Sequence, residues 1–231
     1  MNKLLFGLVM LAMSGIPASA VILNASDVGA SGTTVVQGQI DGTNVPGLTG
    51  SLFLEFEGVT NGGLTWNFDY TAKNTSGGAI TGSRISSFGL STTPDIVSGA
   101  STGVYGFVQT SPNGVPGFIV PAIDFCAGSS ANTCTGGNGL TLGQSASGTL
   151  TLTFATALNL ITLDTAYMRF QSIVGSNLGD SGAGVNGPVI TPLDVNPVPL
   201  GPTGPFFAAG VAALTWLGSR RRRKQLAIAG T

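Results

Sequence analysis

Glu55 and Glu57 are the only glutamates of the chain and stand two residues apart, so on a strand they would share one face. Two carboxyl groups about 5 to 9.5 Å apart are what glycoside hydrolysis uses. The acid of such a pair also needs a pocket that raises its pKa. The sequence signals none, and the ordinary reading is two solvated carboxylates on the wet face of a strand. Asp69, Asp95, Asp124 and Asp164 carry the hard oxygen donors that calcium takes, but they are scattered and match no loop signature. The chain has no histidine, which removes Ser-His and Cys-His nucleophile pairs, histidine metal ligands and any imidazole pH switch. No catalytic residue, metal site or cofactor is therefore assigned.

Cys126 and Cys134 lie eight apart, separated by small and polar residues. In an exported chain such a pair is expected to form a disulfide across a hairpin loop, and two unpaired buried thiols are the alternative. With no further cysteine and no histidine, a four-ligand metal site has nothing to complete it. Trp66, Phe68 and Tyr70 form an aromatic row of the kind that stacks on sugar rings. Their alternation with Thr65, Asn67, Asp69 and Thr71 points them inward instead, as core. Arg84 and Arg169 stand nearly alone among apolar strands and are expected to pair with aspartates that hold loops in place, a ligand carboxylate or sugar acid being the other reading. Asn24-Ala25-Ser26 and Asn74-Thr75-Ser76 match the glycosylation sequon.

The segments that must position these residues alternate with period two. In Leu64–Lys73 the large side chains fall on even positions and polar ones on odd positions, the signature of a strand with one covered face. Thr149–Phe154 and Leu52–Glu57 repeat it. Further strands are expected at Thr34–Ile40, Ile80–Leu90, Val104–Gln109, Ile119–Phe125 and Leu160–Ile173. Turn residues separate them, as in Asn61-Gly62-Gly63, Ser76-Gly77-Gly78, Pro112-Asn113-Gly114 and Gly136-Gly137-Asn138-Gly139. About eight strands predict an all-β domain over residues 21–192, an antiparallel β-sandwich or jelly-roll-like fold. Asn177–Gly187 reads as a flexible turn or linker and Pro188–Pro205 as a semi-rigid stalk.

Composition narrows the function classes. The chain has 231 residues, 36 of them glycine, and only 8% are charged, against about 25% in an ordinary globular domain. Residues 21–219 hold three cations, Lys73, Arg84 and Arg169, against all ten acids. An acidic body of this kind argues against a nucleic-acid partner, which needs clustered Lys and Arg. Low charge density also weakens the repulsion that keeps edge strands apart, so self-association is an open possibility.

The two ends speak to location. Lys3, an apolar run over Leu4–Met13 and the small triplet Ala18-Ser19-Ala20 have the layout of a secretory signal peptide over residues 1–20, with cleavage after Ala20. An uncleaved anchor is the rival, and the run falls short of the ~18 residues that span a bilayer. At the other end a proline-rich stretch over 197–205 precedes an uncharged segment, Phe206–Gly218, and then Arg220, Arg221, Arg222, Arg223 and Lys224. Residues 205–218 make about 21 Å of helix, short of a core of about 30 Å but feasible as a transmembrane helix with mismatch and snorkelling arginines. The cations should stay cytoplasmic. A buried C-terminal helix of the domain is the alternative, and it would leave the four arginines unexplained.

This tripartite end, residues 193–231, resembles the PEP-CTERM sorting signal. The matching residues are Val198, Pro199 and Leu200 with Pro202 and Pro205, then Phe206-Phe207-Ala208-Ala209-Gly210, then Arg220–Arg223. Val-Pro-Leu-Gly-Pro stands where the name-giving Pro-Glu-Pro would be. The exported region is similar to the cistern family of PEP-CTERM proteins through Ser83–Phe88, Pro94-Asp95-Ile96, Asp124-Phe125-Cys126 with Cys134, Gly148–Phe154 and Arg169–Ile173. The resemblance implies signal peptidase and an exosortase as processing enzymes, transient anchoring in the inner membrane, cleavage near the proline motif, and release or transfer to the cell surface. It implies no catalytic activity. The expectation is a non-enzymatic envelope or extracellular-matrix protein, the alternatives being a carbohydrate-binding module for the cell's own exopolysaccharide and a glycan-modifying enzyme.

Overall fold

The computed structural model describes residues 20–110, 123–130, 134–187 and 190, all within the compact unit Met1–Leu193. Twelve strands form: β1 (Val21–Asn24), β2 (Ser31–Ile40), β3 (Thr43–Thr60), β4 (Thr65–Asn74), β5 (Gly82–Thr93), β6 (Ile96–Ser101), β7 (Phe107–Thr110), β8 (Phe125–Gly128), β9 (Leu140–Thr141), β10 (Ser145–Phe154), β11 (Leu160–Val174) and β12 (Ser181–Asn186). The helical elements among the described residues are two single turns of 3-10 helix, Asn61–Gly63 and Gly103–Tyr105. No helix among the described residues is long and apolar enough to cross a membrane.

All pairings are antiparallel, and the strands join in the order β6-β10-β4-β3-β2-β12-β11-β5-β8-β7, with β1 added to β11 and β9 to β5. The expected sandwich therefore holds at the level of an all-β, sandwich-like fold, but its two halves are one sheet curled nearly closed. The halves β6-β10-β4-β3-β2 and β12-β11-β5-β8-β7 are joined on one side by a single ladder bridge, Ala183 to Gln39. Asn186 reinforces it by donating from Nδ2 to the Val35 carbonyl at 2.7 Å. On the other side β6 and β7 lie against each other without a ladder. There Gly99 faces the Phe125 ring, and a Cβ at that position would sit 2.8 Å from Cε2.

The core follows from the alternation. Leu52, Leu54 and Phe56 of β3, Trp66, Phe68, Tyr70 and Ala72 of β4, and Leu150, Leu152 and Phe154 of β10 all point inward and are buried. They meet Ile85, Phe88 and Leu90 of β5 and Ile161, Leu163, Met168 and Phe170 of β11 in one cluster. Each large side chain so buried contributes roughly 1.5 to 3 kcal/mol. β2 and β3 are joined by a two-residue Asp41-Gly42 turn with both residues at positive φ, 47° and 77°, the primed turn whose twist matches a hairpin.

Three sequence expectations change. Ser181–Asn186 is a strand, not a linker: its glycines carry no strand propensity, but they let β12 approach β2 where a side chain cannot fit. A Cβ on Gly182 would collide with the Gln39 carbonyl and one on Gly184 with that of Gln37. Ile190, placed in the stalk by the sequence reading, is buried in the main core. In the strand expected at Val104–Gln109, Gly103–Tyr105 is instead a helical turn whose Tyr105 is fully buried, its hydroxyl donating to the Ile85 carbonyl at 2.8 Å.

Candidate functional site

Ala18, the proline motif of Val198, Pro199, Leu200, Pro202 and Pro205, the transmembrane helix expected over 205–218 and the cluster Arg220–Lys224 lie outside the described residues. Ala20, the residue after which leader cleavage is expected, is exposed immediately before β1.

Cys126 and Cys134 are joined as a disulfide with their Cα atoms 6.2 Å apart, and no described cysteine is free. The bond sits on the outer face of the sheet. Cys126 and Cys134 pack with Ile123, Tyr167 and Ala183 in a second small apolar cluster, supported by Phe107 and Val185. This explains why β5 is buried almost throughout, from Ile85 to Thr92: one face lines the main core and the other lies beneath this cluster. The chain following Cys134 is pinned by Gln171, whose Nε2 donates to the Thr135 carbonyl at 2.9 Å. Arg84 donates to the Gly137 carbonyl at 2.9 Å. Arg84 thus holds a loop as anticipated, but through a backbone carbonyl rather than an aspartate. Arg169 donates to Ser181 Oγ at 3.3 Å, linking β11 to β12. Burial holds the Tyr167 hydroxyl well above the usual tyrosine range, against the pull of the neighbouring Arg169 guanidinium.

The carboxylates are distributed differently from the sequence reading. The β3–β4 register shifts between Phe56 and Gly58, so Glu57 is the extra residue of a β-bulge. Gly58 supplies the positive φ of 116° there, and beyond it Val59 is the residue that packs on the core. Simple alternation through Glu57 could not reveal this. Glu57 is exposed at the bulge, while Glu55 is half-buried and lies directly across from Asp69 of β4. The acidic pair on this face is Glu55 with Asp69, one residue from each strand. A shallow groove of about 430 Å³ opens over it, lined also by Phe53, Thr71, Ser147 and Thr149.

A second acidic group gathers at the β5–β6 connection. Asp124 accepts the Thr92 backbone N–H at 2.7 Å, and Asp164 accepts the Thr93 hydroxyl at 2.7 Å. Burial pushes the Asp124 carboxyl above the usual carboxylate range. The Thr92 amide pulls against that, and the charges of Asp95 and Asp164 add to the rise. Three of the four aspartates considered as calcium donors are thus brought into electrostatic range, and Asp69 is on the other face with Glu55. Among the described residues no three acidic or cysteine side chains are close enough to hold a metal ion.

Trp66, Phe68 and Tyr70 are 0%, 1% and 1% exposed, so this row is core and cannot stack on a sugar. Tyr70 reaches the sheet edge only through its hydroxyl, which donates to the Thr102 carbonyl at 2.6 Å. The sequon residue Asn74 is fully buried and its carboxamide is consumed by the Ser83 and Leu140 carbonyls, Ser83 Oγ and the Ser76 N–H. A glycan there is incompatible with the fold. Nothing in the sequence signals this role of Asn74, because an asparagine at a strand end has the same signature as any turn residue. Asn24 is exposed, its Nδ2 donating to Asp27 at 2.9 Å.

The class the fold defines is an all-β, sandwich-like domain with one disulfide. Comparison with known protein families, with characterised proteins and with solved structures found no match.

Proposed function

We propose that this is a non-enzymatic envelope or extracellular-matrix protein, exported by its leader, held briefly in the inner membrane by its C-terminal segment, and cut by an exosortase near Val198–Pro205. The observation that carries the reading is the Cys126–Cys134 disulfide, a bond that persists in oxidising compartments, in a chain that begins with a leader-like segment. A second feature agrees with it. The outer face of β4 and β10 bears Thr71, Ser147, Thr149 and Thr151, a surface kept wet by hydroxyls, and such a surface suits a crowded, hydroxyl-rich matrix.

Mass spectrometry of the mature protein tests this in a host with and without its sorting enzyme. With the enzyme, the product is expected to begin at Val21 and to lack Arg220–Arg223; without it, those arginines remain. A mature chain that keeps Arg220–Arg223 in the presence of the enzyme overturns the sorting reading.

A further inference from the structure

The groove over β3, β4 and β10 is the place where the outward-facing pattern of this sheet breaks its own rule. Along β4 and β10, and from Thr49 to Glu55 of β3, the outward side chains carry hydroxyl, amide or charged groups, with one exception. Phe53 faces solvent there, half-buried. It pairs across the ladder with Thr71, which pairs in turn with Ser147. The next outward row is Glu55, Asp69 and Thr149, joined by the same registers. Two rows across three strands make a platform of roughly 10 by 7 Å, the footprint of one or two pyranose rings.

Like charges placed directly opposite each other on a sheet destabilise it, and Glu55 and Asp69 are so placed. Among the described residues nothing offsets that cost: neither carboxylate accepts a hydrogen bond or forms an ion pair, and Lys73, on the same face of β4, does not line the groove. A half-buried aromatic ring on the outer face and an acidic pair placed directly across a ladder are two departures from the sheet's own pattern at one spot, and such departures concentrate where a surface binds something.

We infer that this groove is a binding site for a neutral glycan, with Phe53 as the platform for a sugar ring and Glu55 and Asp69 as acceptors for its hydroxyls. Carboxylates accept hydroxyl protons in charge-assisted bonds of about twice the usual strength. Thr71, Ser147 and Thr149 supply neutral donors and acceptors beside them. The acidic pair repels sugar acids, which excludes them as ligands, and the hydroxyls around it match a neutral sugar. Calcium alone is a poorer fit, since it takes six or more oxygens and the described residues offer only these two carboxylates here. Tyr70 and Gly148 also line the groove, but the Trp66, Phe68 and Tyr70 side chains are buried and Phe53 is the aromatic ring offered to a ligand; the site does not depend on how the chain is sorted.

The test is amide chemical-shift mapping of the purified, isotope-labelled mature protein with cellohexaose and mannohexaose as neutral probes. An oligogalacturonide serves as the acidic counterpart, and calcium chloride and a poly-lysine peptide as cationic ones. A neutral probe is expected to shift the amides of Phe53, Thr71, Ser147 and Thr149 while the oligogalacturonide leaves them unmoved. Phe53→Ser and Glu55→Gln/Asp69→Asn should each weaken that binding about tenfold or more, with amides elsewhere keeping their positions as proof of folding. Absence of shifts with both neutral probes, shifts with calcium or poly-lysine alone, or neutral binding indifferent to these substitutions would overturn the assignment.

Discussion

Asn74 and Ser83 hold β4 to β5 inside the core: the Asn74 carboxamide donates to Ser83 Oγ at 3.0 Å and to the Ser83 carbonyl at 3.2 Å. The same side chain donates to the Leu140 carbonyl at 3.1 Å and accepts the Ser76 N–H. Asn74→Ala would strand several of these partners away from water. The expected loss is about 2 to 4 kcal/mol in urea unfolding, since each orphaned buried group costs about 1 to 3 kcal/mol. A loss below ~1 kcal/mol would show that the hub is not structural.

Asp124 makes the fold sensitive to pH on the acid side. Its folded pKa lies above the ordinary value of 3.8, so the folded state favours the protonated form. The stability linked to it is complete below that value and is lost as pH rises through the folded pKa. Asp124→Asn keeps an oxygen for the Thr92 N–H and removes the charge that Asp95 and Asp164 repel. The variant should melt higher than the parent at neutral pH, with the difference vanishing below about pH 4. A variant less stable at neutral pH would contradict the repulsion.

At alkaline pH the described tyrosines act together. Burial raises the ionisation of Tyr70, Tyr105 and Tyr167 above the ordinary value of 10.0. For each, stability is intact below that value and falls as pH climbs beyond it, because the unfolded chain releases the proton first. Phenolate absorbance should therefore rise in one step coincident with loss of the native circular dichroism. An earlier, independent phenolate signal would mean that one ring is open to solvent.

Replacing both Cys126 and Cys134 by alanine should lower stability by about 2 to 3 kcal/mol through restored loop entropy. Reduction of the unmodified protein should have the same effect, and the double variant should be indifferent to reductant. Unfolding curves with and without reductant read this directly.

The seam between the half-sheets is the remaining target. Gly184→Val forces a side chain into the Gln37 carbonyl, and overpacking of this kind costs about 1 to 3 kcal/mol. Limited proteolysis should then cut first in β12, after which β2 and β11 lose protection. Unchanged protease resistance would show that the strand can shift to accommodate the methyls.

How far the fold could be read from the chain depends on what each strand buries. β4 alternates large apolar with polar residues and is legible to within a residue at each end, while β10 is legible only from Thr149 on, because its first four residues, Ser145-Ala146-Ser147-Gly148, carry no large side chain. β5 is legible as a strand, but its second covered face is not, because it carries small residues, Ser87 and Ser91, that are buried under a cluster drawn from distant segments. β6, β9 and β12 carry too few large side chains to announce themselves, and β1, though it reads Val-Ile-Leu-Asn, is only four residues long; they form because neighbouring strands supply the ladder. The Glu55–Asp69 pairing follows from register alone, which no local pattern encodes once a bulge intervenes.

One arrangement in the fold bears on how such a domain can be strung into a longer polypeptide. β12 and β1 lie on the same edge of β11 and run in the same direction, with Asn186 opposite Ala166 and Val21 opposite Leu163. The end of β12 and the start of β1 are thus collinear and separated by roughly 10 Å, and the chain beyond β12 still returns to the core at Ile190. The domain is therefore a natural guest: a loop of another protein could accept it without parting its own ends, and a circular permutant closed there by a linker that keeps Ile190 in the core, and opened at Asp41-Gly42, should retain the same curled sheet.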